Sequence, residues 1–438
     1  MNYKLSSNCR TSSRNLHSKT ASSMMTSQAG LIPIFQFLST LGFRRKCEQM
    51  FKVYKHHNAT YNAHEILELL VMGICGGARS IEKVIGVWND EVLRIVTGWA
   101  KIPHSTVISS TLKRSNLGNV NEMETLVHKI RKAAWKKMKF NHKEIVIDVD
   151  STVKTTYGFQ EGTAKGYNPV KRGARSYNPQ LAFCVESKEI LQGWLRSGDT
   201  YTSNGTVGFL KQLVAQLDSI DFLLRADSGY FDEKILEWIE SQKQKYLIKV
   251  KLRNLTSILE LQEWTSIEGK SGWEEARFQY KCKSWKKERS FVAIRRKSAK
   301  QQTNQLIEFT KYDYFCYVTT ENESTWQIHK KYGERATCET WIEEAKNQMA
   351  LGQIKTNDFN ANSILLQCSI IAYNVIRWME YTSANKQLKK WEPETVRTFL
   401  IRVAGKLTTG GRILTITYAK NHLYQEVWDE WKKLGKCG

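Results

Sequence analysis

The stretch Glu144-Ile-Val-Ile-Asp-Val-Asp150 decides the fold. Strand side chains alternate with period two, so Ile145, Ile147 and Val149 point one way and Val146, Asp148 and Asp150 the other. Two carboxylates therefore share a face. Strand patterns continue at Gln180-Leu-Ala-Phe-Cys-Val-Glu186, Ile190-Leu-Gln-Gly-Trp-Leu-Arg196, Asp221-Phe-Leu-Leu-Arg-Ala-Asp227 and Tyr246-Leu-Ile-Lys-Val250, with helices expected at about 207–217 and 233–241. Strands followed by alternating helices indicate an α/β domain.

Helical periodicity fades between about 251 and 311, where short Trp-rich and β-branched segments predict a β-rich insertion. Tyr312-Asp-Tyr-Phe-Cys-Tyr-Val-Thr-Thr320 resumes the core, with helices expected over about 331–351 and 362–381. The tail, 385–438, holds a helix, the strand-like Arg412-Ile-Leu-Thr-Ile-Thr-Tyr418 and a Trp-rich last helix. Upstream of Glu144 the order is different. Residues 1–28 read as a disordered basic arm, since no acid precedes Glu48. From 29 to 139 the apolar spacing is helical, as in Ile66, Leu67, Leu69, Leu70 and Met72. Within it Pro103, Ser105 and Thr106 mark a helix start that looks like half of a helix-turn-helix. Residues 129–143 carry seven basic residues and no acid, a pattern open to a phosphate-tracking helix or an ordinary solvated face.

The chain has 438 residues, enough for roughly two or three domains, and 66 Lys and Arg against 43 Asp and Glu give a net charge of +23. That excess calls for a polyanionic partner, and with no run of about 18 apolar residues nucleic acid is favoured over a membrane. Nine cysteines without a Cys-x-x-Cys pair read as reduced thiols of a cytosolic protein.

Asp227 closes its strand, the end at which α/β sheets collect functional groups. Phosphodiester transfer needs charge neutralisation and an activated hydroxyl, which two Mg²⁺ ions about 3.5 to 4 Å apart supply, and hard Mg²⁺ takes carboxylate oxygens. Any single strand-end Asp is also an ordinary helix cap. In Tyr332-Gly-Glu-Arg335-Ala-Thr-Cys-Glu339-Thr-Trp-Ile-Glu-Glu-Ala-Lys346, at about 100° per residue, Arg335, Glu339, Glu343 and Lys346 all fall on the helix face of Tyr332. Geometry alone does not choose between Glu339 and Glu343.

The spacing of Tyr332, Arg335, Glu339 and Lys346 resembles the signature of a large branch of bacterial insertion-sequence DDE transposases. Asp150-Ser-Thr152 and Arg225-Ala-Asp-Ser-Gly-Tyr230 look like that family's first and second aspartate motifs. The resemblance runs from about Gly30 to the last helix and is strongest between Ile145 and Asn374. It implies a ribonuclease-H-like catalytic core in two parts (140–250 and 312–384) around the insertion, behind an all-helical N-terminal DNA-binding domain. It also implies metal ligation by Asp150, Asp227 and Glu339, with Asp148 and Glu343 as fallbacks, and two Mg²⁺ ions, replaceable by Mn²⁺. Tyr332, Arg335 and Lys346 would hold phosphates. The implied partners are terminal inverted repeats and target DNA, bound by a homodimer in a nucleoid-associated, cytoplasmic bacterial setting.

Further DNA contacts are expected from Lys171, Arg172 and Arg175, between two Tyr-Asn-Pro turns, and from Arg295 and Arg296 in the insertion. Trp264, Trp273, Trp285 and Trp326 are either packing residues or stackers for a flipped base. Phosphate loops, nucleophile elbows and helical His pairs are absent from the sequence. Two rivals remain: another ribonuclease-H-like nuclease, and a catalytically inactive or domesticated repressor derived from a transposase.

Overall fold

In a computed structural model that describes residues 24–55, 59–169, 171–218, 220–297, 312–411 and 413–436, nine strands build one mixed sheet. They are β1 (Glu144–Ser151), β2 (Gln180–Cys184), β3 (Ile190–Trp194), β4 (Asp221–Ala226), β5 (Lys245–Lys249), β6 (Thr265–Ser266), β7 (Trp273–Tyr280), β8 (Arg289–Lys297) and β9 (Tyr312–Thr319). Their order is β6-β7-β8-β9-β5-β4-β1-β2-β3. β1 pairs antiparallel with β2, and β2 with β3, while β4 runs parallel to both β1 and β5. The expected insertion does not stand apart. Its strands β7 and β8 continue the main sheet through β9, which pairs antiparallel with β5.

The period-two pattern sorts the central strands as the alternation requires. Ile145, Ile147, Val149, Phe222, Leu224 and Ala226 enter one apolar cluster with the helices Thr206–Val214 and Glu233–Ser241. Leu223, Leu247 and Val146 turn to the opposite face, beneath Ile328 of the helix Thr325–Gly333. On that same face Leu181, Phe183 and Ile190 join a cluster shared with the central helix Phe359–Thr382. By length and composition that helix could cross a membrane, yet 89% of its apolar window is buried inside the protein.

Polar groups fix this helix to the sheet. Asn374 accepts from the Ile190 N–H and donates to the Ile190 carbonyl, both at 2.8 Å, so the side chain substitutes for a missing strand partner. Glu189, buried in the β2–β3 turn, accepts from the indole N–H groups of Trp135 and Trp378. Among the described residues seven helices precede β1, from Leu31–Thr40 to Leu117–Met138. Their apolar faces, with Leu67, Leu70 and Ile130, belong to the same cluster as Ile371 and Ile376 of the central helix and Trp431 of the last helix, Gln425–Lys436. The expected basic helix face is divided: Arg131 is fully buried and donates to the Leu191 carbonyl, while Lys129, Lys132 and Lys136 are exposed.

Most of the expected basic arm lies outside the described residues, as do Cys9 and Cys437. Met25–Thr26 form a strand against Gly405–Gly410, which pairs in turn with Ile413–Tyr418. The seven cysteines that are described are free and buried.

Candidate active site

Asp148 and Asp150 share a face of β1 and have different roles. Asp148 is fully buried and accepts from Arg225 of β4 through both oxygens, Nε at 2.7 Å and Nη2 at 2.8 Å. Burial raises its carboxyl and Arg225 pulls it back down. With both oxygens used inside the protein, Asp148 is a structural ion pair. The fallback for the first ligand position therefore has no free oxygen face.

Asp150, next to last in β1, has 15% of its side chain exposed. Its Oδ2 accepts from Arg335 Nη2 at 2.6 Å. Burial pushes its carboxyl up to about 6; Arg335 opposes this, and the neighbouring Asp227 charge adds to it. Asp227 follows β4, and its Oδ1 caps the turn by accepting from the Gly229 N–H at 2.9 Å. The two aspartates thus stand at the carboxyl ends of adjacent parallel strands, close enough to feel each other's charge.

The third carboxylate comes from the helix Ala336–Gln348. Glu339 Oε1 lies 3.6 Å from Arg335 Nη1, and its side chain is 69% exposed. Arg335 thus bridges Asp150 and Glu339. Burial alone would lower its pKa, but Asp150, Tyr332 and Asp227 outweigh that and raise it. Glu343 turns instead to Lys346 at 3.5 Å and to Asn347. Glu344, on the buried side of the helix, is paired with Arg377 of the central helix. That pairing holds the Glu339 helix against the core.

The signature residues do not lie on one continuous helix. The chain breaks at Glu334 and Arg335, between the helices Thr325–Gly333 and Ala336–Gln348. The Lys331 carbonyl, which would accept the Arg335 N–H in an unbroken α-helix, accepts from Arg225 Nη1 instead. The Arg335 N–H bonds to the Tyr332 carbonyl at 3.0 Å, a tighter turn. Arg225 therefore joins β1, β4 and the helix pair. The sequence reading gave it no role, although alternation along β4 places it on the face of Asp227.

Tyr332 packs on Tyr317 with ring centroids 4.6 Å apart, and its hydroxyl is pushed up to about 12, mainly by burial. The charges of Arg335, Asp227 and Asp150 all act on it, and its backbone carbonyl accepts from the Arg335 N–H at 3.0 Å. Tyr230, three residues after Asp227, is fully buried, and its hydroxyl has no hydrogen-bond partner among the described residues. Asp150, Arg196 and Asp227 all act on it. The structure thus gathers Asp150, Asp227, Tyr332, Arg335 and Glu339, and leaves Lys346 beside Glu343.

Of the other expected DNA contacts, Arg175 is committed to Thr163, with Nε to Oγ1 at 3.0 Å and its guanidinium 5.4 Å from the Phe159 ring centroid. Lys171 and Arg172 are exposed. Arg295 lies between the Trp264 and Tyr312 rings, 4.4 and 4.2 Å from their centroids, and pairs with Glu274. Arg296 is half exposed and 3.3 Å from Asp313. The four tryptophans differ: Trp285 is buried beside Phe231, Trp264 donates to the Leu259 carbonyl, and Trp273 and Trp326 pack together.

Among the described residues no three His, Cys, Asp or Glu side chains stand together as a metal cage. The donor set still fits a hard divalent cation. Every available group is a carboxylate oxygen, and the repulsion between Asp150 and Asp227 is of the kind a cation relieves.

Several solved structures are similar to this chain. A cryo-EM structure of a piggyBac transposase synaptic complex with hairpin DNA is 12% identical, with 85% of this chain and 79% of that chain covered and a TM-score of 0.43. A Mos1 transposase paired-end complex with the left transposon end is 10% identical, covering 44% of this chain and 61% of that one. A Mos1 mariner paired-end complex with Mn is 12% identical, covering 46% and 65%; both Mos1 structures have a TM-score of 0.18. Likeness at these levels carries no argument about this chain. No curated protein matches the sequence. The family described as Transposase DDE domain group 1, whose members cut and transfer DNA and in general use divalent metals, matches residues 9–435, nearly the whole length, and the chain belongs to it.

Proposed function

We propose that this chain binds the terminal inverted repeats of an insertion sequence, cleaves the element's ends and joins their 3′ hydroxyls to target DNA. The observation that carries this reading is the placement of Asp150 and Asp227 at the ends of adjacent parallel strands, with Arg335 linking Asp150 to Glu339. The mixed core β3-β2-β1-β4-β5, with both aspartates at its centre, supports a ribonuclease-H-like catalytic unit. The helices within 29–139 would grip the repeats. Two ends must meet before joining, which favours a homodimer, and a bacterial cytoplasm is the setting this reading implies.

Asp150, Asp227 and Glu339 would hold two Mg²⁺ or Mn²⁺ ions, which supply charge neutralisation at the phosphoryl group and an activated hydroxyl. The chain's own residues supply position. Arg335 can exchange its carboxylate contacts for a phosphate, a match for its planar fork. Tyr332, fixed on Tyr317, presents its hydroxyl beside the same phosphate. Asp148 and Arg225 keep β1, β4 and the helix pair in register beneath these groups.

The test is cleavage of a labelled duplex carrying the element's own inverted repeat, in Mg²⁺ and in Ca²⁺. Nicking and joining in Mg²⁺ are expected, and Asp227→Ala or Glu339→Ala should abolish both while leaving DNA binding intact. Specific binding without cleavage by the wild type would replace this reading with that of a repressor.

A further inference from the structure

Exposed aromatic rings are costly to leave in water, and the described residues contain five: Tyr54, Tyr157, Phe159, Tyr167 and Tyr201. Four of the five fall between 157 and 201, in the segment that follows Asp150. Phe159 is 90% exposed and Tyr167 83%. A clustering of this kind asks for a ligand with flat apolar faces.

The backbone that carries these rings is fixed in place. Strands Lys154–Thr155, Ala164–Lys165 and Arg175–Tyr177 form a small antiparallel sheet. Tyr157 and Phe159 lie on its first loop and Tyr167 on its second. Cations tie the loops together: the Lys171 ammonium is 4.9 Å from the Tyr157 ring centroid, the Lys355 ammonium 5.6 Å from the same ring, and Arg175 stands over Phe159. A side chain at Gly166 would overlap the Gly198 carbonyl, so the second loop packs backbone to backbone on the turn that carries Tyr201. That turn is fixed by Asn178 Nδ2, which donates to the Thr200 carbonyl at 2.9 Å.

Its location is specific. Asp150 pairs with Leu181 of β2, and the small sheet runs straight into β2 through residues 178–179. Thr202 lies against Gly229, in the turn capped by Asp227. The charge is specific too: residues 154–177 hold five basic side chains against one acid, Glu161, which already accepts from the Phe359 N–H at 2.8 Å. Asp199 is a second exposed acid, on the Tyr201 turn.

Aromatic rings interleaved with cations bind single-stranded nucleic acid, since every base offers a π-face and every linkage a phosphate. We propose that this segment is a stacking platform for unpaired bases of the DNA strand at the cleavage site. Phe159, Tyr167 and Tyr201 take bases, and Lys165, Lys171 and Arg172 take phosphates. The proposal rests on the transposase reading and names a substrate form for it: a DNA strand whose bases beside the cut are unpaired, held by stacking on these rings.

The test uses the full chain and two labelled probes, an oligo-dT and a blunt duplex carrying the inverted repeat, each about 20 nucleotides long. Binding is followed by fluorescence anisotropy. The Phe159→Ala, Tyr167→Ala, Tyr201→Ala triple variant should bind oligo-dT at least about tenfold more weakly, with duplex affinity changed less than about threefold. Oligo-dT containing 5-iododeoxyuridine should photo-crosslink to the wild type at Phe159, Tyr167 or Tyr201. Because these rings are exposed, melting temperature should not change. Equal weakening on both probes, no weakening, or no oligo-dT binding by the wild type overturns the platform. Failure of the wild type to bind the duplex at all overturns the transposase reading instead.

Discussion

Asp148 and Asp150 show how far a single strand pattern reaches. Alternation puts both on one face, but the difference between them is made by Arg225, 77 residues downstream of Asp148, and by Arg335, 185 downstream of Asp150. A window around β1 holds no trace of either. Their substitutions should therefore behave differently. Asp148→Ala removes the bidentate partner of the buried Arg225, leaving it the Lys331 carbonyl and Glu334 at 3.4 Å, and should lower unfolding stability by about 3–5 kcal/mol, read as a denaturant midpoint. Asp150→Asn should keep the fold and lose cleavage. The pH dependence gives a second check. Because the folded carboxyl of Asp150 is pushed up to about 6, above its ordinary 3.8, the folded state binds its proton more tightly than the unfolded chain does. Its contribution to stability thus grows as pH falls through the window between these values, and above it the charged form opposes folding. Without metal, Asp150→Asn should raise the melting temperature near pH 7.5 more than near pH 5. Equal shifts at both would refute burial as the cause.

At the level of elements, helices and strands were readable wherever burial follows one period. β1, β4 and the helix Glu233–Ser241 fall where alternation and helical spacing put them. The break at Glu334 and Arg335 was not readable, because its cause is a guanidinium from β4 taking the Lys331 carbonyl. The helical wheel that grouped Tyr332 with Lys346 assumed an unbroken axis. Glu339 was picked out by resemblance, and the structure supplies the contrast that spacing lacked, since Glu343 faces Lys346. The arginine pair in β8 is a similar case. Neighbours in a strand point to opposite faces, and Arg295 is held between two rings and Glu274 while Arg296, on the other face, is half exposed over the Trp273 and Phe315 rings at 5.3 and 5.9 Å. Arg295→Ala should cost about 1–2 kcal/mol of stability through lost ring contacts and leave the salt dependence of DNA binding unchanged. Arg296→Ala, whose longer ring contacts are half exposed, should cost no more than about 0.5–1 kcal/mol and reduce the slope of log affinity against log salt by about one. A reversed outcome would mean that the strand's outer face has been misidentified.

Across the whole molecule, the positive balance read from composition matches a family that acts on DNA, whereas the way the parts share a core had no local signal. Helices before β1 look from sequence like a separate unit, with their own apolar stripes. In the structure Leu67, Leu70, Ile130 and Trp88 belong to one cluster with Ile371, Trp378 and Trp431, residues some 300 positions away. The buried carboxylate Glu189 makes the link polar as well, receiving Trp135 from one side and Trp378 from the other. A chain cut at residue 140 would lose Trp135 and Arg131 together, exposing the central helix and leaving Glu189 with fewer donors. Unpartnered buried carboxylates and opened cores are each costly. The fragment 140–438 is therefore expected to lack a cooperative thermal transition, and the full chain to melt with tryptophan fluorescence and helical circular dichroism changing together. If the fragment melted cooperatively near the temperature of the full chain, the shared cluster would be an interface between independent units, and the helices of 29–139 would be separable from the sheet. If it does not, the helices of 29–139 keep their shape only on the folded sheet, and any surface they offer is lost with the sheet on denaturation.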